Sequence, residues 1–170
     1  MIFEQQMDLL KKENKPEWTR PNFPDVSGIK QVAIDLETYD PDIKTLGGGW
    51  ATNKGFVVGV AISFEGFDGY FPVRHERGGN FPEEDVKKWL RKLFKEDPIV
   101  LCHNAVYDLG WLRRWGVECD VTKVYDTLIA APLVDENRFS YSLNNLAKDY
   151  LGERKQGNIL EDFGKEHGFK

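Results

Sequence analysis

Two stretches of this 170-residue chain hold acids at spacings that could do chemistry together. The first is Asp35-Leu36-Glu37, which follows the alternating apolar residues Val32 and Ile34. Residues two apart in an extended strand project to the same face, so Asp35 and Glu37 stand side by side. Carboxylates so placed repel and raise each other's pKa. A divalent cation reverses that cost and keeps both ionised. The second stretch is HNAVYDLGWL, residues 103–112. Asn104 and Asp108 are four apart and share one helix face, which Trp111 and Leu112 extend. Read alone, each stretch also has a plain structural meaning: a strand end with solvated acids, and a helix cap followed by an exposed aspartate.

The elements that must position these residues follow from periodicity. Lys30–Leu36 alternates and predicts a strand with the two acids at its C-terminal end. Phe56–Phe64 and Gly69–Val73 predict two more strands, joined through the turn residues Gly66, Asp68 and Gly69. Three consecutive strands predict an antiparallel meander. Pro82–Glu96 reads as a helix, with Val86, Trp89, Leu90 and Leu93 on one face and a basic row on the other. That basic row is read as a solvated face, with nucleic-acid contact as the alternative. Ile99–Cys102 is a short buried strand that delivers Asn104 to the carboxyl edge of the sheet, where sites gather in α/β folds. Asn104–Trp115 is a helix stopped by Gly116. Val121–Tyr125 predicts a last strand, Thr127–Leu133 a helix, and Ser142 caps Leu143–Leu151. The order argues an α/β domain with a mixed sheet. Residues 1–24 read as an N-terminal packing arm, 25–152 as the domain, and 153–170 as a helical tail.

Composition excludes several classes. The chain has 28 acidic and 23 basic residues, a net charge of −5, so it is no histone-like binder. Its 41% hydrophobic and 13% aromatic content supports a real core. The two cysteines, Cys102 and Cys119, form no disulfide framework and read as reduced core thiols. No apolar run spans a membrane, and the N-terminus is no signal peptide. These features predict a soluble, cytoplasmic protein.

Taken together, VAIDLET and NAVYDLGWL resemble the first two motifs of the DEDD-superfamily 3′–5′ exonucleases. The chain most resembles the proofreading domain of phage and bacterial family A DNA polymerases, on a ribonuclease-H-like fold. FPVRHERGGNF, YDTLIAAPLVDEN and YSLNNLAKDYLG fit the same family. The resemblance implies that Asp35, Glu37 and Asp108 are three of four carboxylates holding a pair of magnesium or manganese ions. It implies that Thr38 and Asn104 contact the terminal nucleotide. Tyr107, Trp111 and Leu112 complete the expected substrate-binding set. Asp126 is expected to support the site or the fold, and His75 to lie in a surface loop or line the site. HNAVYD also spells a His-x-Ala-x-x-Asp string, but His103 is rejected as a general base because no second motif precedes it.

The family's third motif, Tyr-x-x-x-Asp, is not found. The residues four after the six tyrosines are Ile43, Arg74, Trp111, Ile129, Asn145 and Arg154. The expectation is therefore a truncated domain, weak as an isolated chain. Asp149 or Asp162 could substitute, or a polymerase domain or subunit could supply the missing helix. The implied activity is metal-dependent hydrolysis of single-stranded DNA 3′ ends. The alternatives are a catalytically incomplete fragment that binds DNA or a polymerase, and an RNA-directed exonuclease of the ribonuclease D type.

Overall fold

The computed structural model describes residues 21–76 and 79–152. Strand β1 (Gln31–Tyr39) lies at the centre of a five-stranded sheet, flanked by β2 (Phe56–Phe64) and β4 (Ile99–Cys102). β3 (Phe67–Pro72) and β5 (Val124–Asp126) form the two edges, giving the order β3-β2-β1-β4-β5. β1, β2 and β3 pair antiparallel, whereas β4 runs parallel to both β1 and β5. The helices are α1 (Ile43–Leu46), α2 (Gly49–Thr52), α3 (Glu83–Lys95), α4 (Ala105–Trp115), α5 (Thr127–Val134) and α6 (Leu143–Leu151). The expected mixed sheet with its meander is present.

β1 runs three residues past its predicted end. Thr38 and Tyr39 keep pairing with Val57 and Phe56, after a register shift between Glu37 and Thr38. The two acids therefore lie within the strand and not at its end. The predicted strand at Val121 starts later, because Val121–Lys123 is a 3-10 turn. Asp120 Oδ1 makes that turn by accepting from the Thr122 N–H at 2.9 Å and its hydroxyl at 2.7 Å.

The core lies on one face of the sheet. Val32, Ile34 and Leu36 of β1, Val60 and Ile62 of β2, and Phe71 of β3 are all buried. α3 covers them with Val86, Trp89, Leu90 and Leu93, the face its periodicity predicts. Trp89 packs on Phe71 with ring centroids 4.9 Å apart, and Phe23 stacks on Phe71 at 5.3 Å. Each such side chain contributes roughly 1.5–3 kcal/mol by leaving water. Acids in the first turn of α3 and lysines in its last complement the helix dipole. Its basic row is largely engaged: Lys87 pairs with Glu83 and Glu84, Lys92 with Asp25, and Arg91 donates to the Gly116 carbonyl. Cys102 is buried as expected, but Cys119 is only half-buried. The expected arm contributes Phe23 and Pro24 to the domain, with the Trp89 indole donating to the Pro24 carbonyl at 3.0 Å. The rest of the expected arm up to residue 20, and the expected tail 153–170 with Asp162, lie outside the described residues. Among the described residues, no helix is long and apolar enough to cross a membrane.

Candidate active site

β4 pairs with β1 only as far as Ala33↔Leu101. Beyond Cys102 the chain turns into α4, so the later part of β1 has an edge that β4 leaves open. Asp108 fills it: its Oδ1 accepts the Leu36 backbone N–H at 3.1 Å. This ties the Asp108 carboxyl to the residue between Asp35 and Glu37. Asp108 is 3% exposed. Burial pushes its pKa up to about 7, against the Leu36 hydrogen bond, and the charges of Asp35 and Asp126 push the same way. A nearby cation would offset the cost of ionising a buried acid beside two other carboxylates.

Asp126 positions this acid. Its carboxylate accepts the N–H groups of Asn104 at 3.0 Å, Ala105 at 2.8 Å and Leu128 at 2.9 Å. One side chain thus ties down the start of α4 and caps α5, satisfying donors that helix ends leave unpaired. Burial acts to raise its pKa, but these three amides and the charge of His103 hold it below the usual carboxylate range. Asn104 adopts a left-handed backbone, φ 79°, which an asparagine tolerates. Its exposed side chain makes no cap hydrogen bond. His103 Nδ1 pairs with the Thr127 hydroxyl at 2.9 Å.

Two expected substrate contacts are corrected. Trp111 and Leu112 are each 1% exposed and belong to the core. The helix face they share with Asp108 turns inward, because α4 packs against β1 and the short helix α2. Tyr107 is half-buried, with its hydroxyl 2.6 Å from that of Thr38 and donating to Asp40 Oδ2 at 3.1 Å. Asp40 Oδ2 also accepts the Gly49 N–H at 2.8 Å. Tyr107 therefore braces the end of β1. The sequence does not single out Asp40, since its partners Gly49 and Tyr107 lie 9 and 67 residues further along the chain. Asp149, a possible substitute ligand, is paired with Arg138.

The charges of Asp35 and Asp126 both act on Asp108, whereas the charge of Glu37 acts on Tyr70 of β3. Among the described residues, no group of three His, Cys, Asp or Glu side chains is already gathered to hold one metal ion. Burial and the surrounding carboxylates push the Cys102 thiol up to about 12, so no thiolate adjoins the acids. The donor set is hard oxygen, which suits magnesium or manganese.

Residues 23–166 match the 3′–5′ exonuclease family of DNA polymerase A type. The chain belongs to this family. It is 35% identical over 161 residues to a DNA-directed DNA polymerase of Pseudomonas phage M6, covering 89% of this chain and 24% of that protein. It is 30% identical over 123 residues to DNA polymerase I of Borreliella burgdorferi, covering 72% of this chain and 12% of the relative. The chain thus spans a quarter or less of the length of these polymerases. The fold is shared with Brucella melitensis NrnC, solved with bound Mg2+, at TM-score 0.57 and 21% identity over 81% of this chain and 60% of that one. It is also shared with the catalytic core of RRP6 from Trypanosoma brucei, at TM-score 0.54 and 17% identity over 78% of this chain and 32% of that one. This is a 3′–5′ exonuclease domain of the DNA polymerase type, on a ribonuclease-H-like fold.

Proposed function

We propose that this exonuclease domain hydrolyses the last phosphodiester of a single-stranded DNA 3′ end and releases 5′-mononucleotides beside a polymerase domain. Asp35, Glu37 and Asp108 hold magnesium or manganese, and Thr38 and Asn104 meet the terminal nucleotide. The observation that carries this reading is the Asp108 carboxyl, buried and tied to the backbone between the two acids of β1. When bound, the cation neutralises charge on the phosphate and makes a bound water a better nucleophile. Asp126 keeps the start of α4, and with it Asp108, in register with β1. Tyr107 keeps Thr38 in place. The described acids do not by themselves enclose an ion, and no tyrosine has an aspartate four residues on, so the isolated chain is a weak nuclease.

The test is a gel assay on 5′-labelled single-stranded DNA, duplex DNA and RNA with manganese, using the wild-type chain and Asp35→Ala. Stepwise shortening of the single-stranded DNA that Asp35→Ala abolishes is the expected result. Shortening that survives Asp35→Ala would sink the assignment, and a preference for RNA would replace the substrate.

A further inference from the structure

The outer face of the sheet carries a second group of side chains, beside the acids. Asp35, Ala61 and Tyr70 are register partners across β1, β2 and β3, and the next row is Glu37, Gly59 and Pro72. Tyr70 leans from the first row to the second: a Cβ on Gly59 would stand 2.0 Å from its Oη. The missing side chain of Gly59 is the space that the tyrosine hydroxyl occupies. Gly59 faces Glu37 across the strand pair, so the hydroxyl lies about one strand spacing, roughly 5 Å, from the Glu37 backbone. The charge of Glu37 acts on Tyr70, in keeping with this placement.

Tyr70 holds a histidine there. Its hydroxyl pairs with His75 Nε2 at 2.7 Å, and the two rings meet edge to face at 5.6 Å. The His75 backbone is clamped from both sides by Asn80, whose Oδ1 accepts its N–H at 2.7 Å and whose Nδ2 donates to its carbonyl at 2.8 Å. The preceding Arg74 is anchored on Glu83 at 2.6 Å. An exposed imidazole on a surface loop usually has a free rotamer; this one is fixed at backbone and ring. In the tautomer that carries its proton on Nδ1, the tyrosine hydroxyl donates to Nε2 and the ring can donate outward through Nδ1. Arg74 is occupied by Glu83, so among these residues His75 is the donor left to meet an anion beside Asp35 and Glu37.

We propose that His75, held by Tyr70, donates a hydrogen bond to a backbone phosphate of the substrate strand one or two nucleotides before the scissile bond. The inference rests on the functional reading above, and it adds a contact on the β3 side of the site. It gives the domain a grip on the strand that is blind to base identity.

The test measures binding of a labelled single-stranded oligonucleotide by the whole chain with calcium, using fluorescence anisotropy. The variants are His75→Ala, Tyr70→Phe, Gly59→Ala and Asp35→Ala, each checked for its melting temperature. His75→Ala should weaken binding about tenfold, the scale of a hydrogen bond to a charged group. Tyr70→Phe keeps the ring packing and should weaken it about threefold, as should Gly59→Ala by displacing the hydroxyl. Neutral methylphosphonates placed one at a time in the last three linkages complete a double-mutant cycle. At one linkage the substitution should cost the wild type about tenfold and His75→Ala nothing further. Unchanged binding by His75→Ala, or fully additive losses at every linkage, would overturn the contact while the Asp35-dependent activity still stands. A cycle that couples at one linkage when Asp35→Ala retains full activity would sustain the contact and sink the functional reading.

Discussion

The two faces of β1 are built from neighbouring residues and meet opposite environments. On the inner face Val32, Ile34 and Leu36 are 0%, 3% and 5% exposed. On the outer face Asp35 and Glu37 are exposed, in rows completed by Ala61, Gly59 and Tyr70. Helices cover the first face with aromatic and aliphatic side chains. The second is lined with small residues and acids, and a depression of about 840 Å³ there is bordered by Ala33, Ser63 and Leu101. The strand thus holds the two acids in place because its other side is locked into the core. Precision on the open face is supplied by burial on the closed one.

Substitutions at adjacent positions should separate the two roles. Ile34→Asp puts an unpaired charge into the core and should cost more than about 4 kcal/mol, seen as loss of the cooperative urea transition. Asp126→Ala leaves three amides without their acceptor and should cost about 2–3 kcal/mol in the same titration. It should also reduce nuclease activity, because the start of α4 loosens.

Asp108→Asn is expected to act in the opposite direction. In the metal-free fold the Asp108 pKa stands at about 7, above its ordinary value of 3.8, so the folded state binds more protons than the unfolded chain between those values. Its contribution to stability is therefore fully present below about pH 3.8 and lost as pH rises through about 7. Asparagine keeps an acceptor for the Leu36 N–H without the charge. It should raise the melting temperature at pH 8 by about 5 °C, with the gain vanishing near pH 4, while abolishing activity. Manganese should stabilise the wild type at pH 8 and leave Asp108→Asn nearly unmoved.

Asp35→Ala should have the smallest effect on folding, within about 0.5 kcal/mol, because the side chain is exposed on the outer face. Its effect on nucleotide release should nevertheless be complete. A melting temperature lowered as far as by Asp126→Ala would show that the outer face carries the fold as well.

The five strands, the four longer helices, the inner apolar face and the acid pair were legible in the chain, because each rests on a local period of 2 or 3.6 residues, whereas the four-residue helices α1 and α2 are too short to show one. The motifs VAIDLET and NAVYDLGWL pointed to the family for the same reason: their spacings are short. What the tertiary structure decided was which partners those residues meet. β1 extends to Tyr39 because β2 continues to pair with it. Asp108 binds the Leu36 amide, 72 residues away, because β4 ends and leaves that edge open. Trp111 and Leu112 turned inward because the Asp108 side of α4 lies against the sheet. Tyr70 comes to lie over Gly59, the partner of Glu37, only through the register of two strand pairs and the gap at that glycine. Periodicity sets a residue's face, whereas register and strand edges depend on pairing between distant segments, which no local pattern encodes.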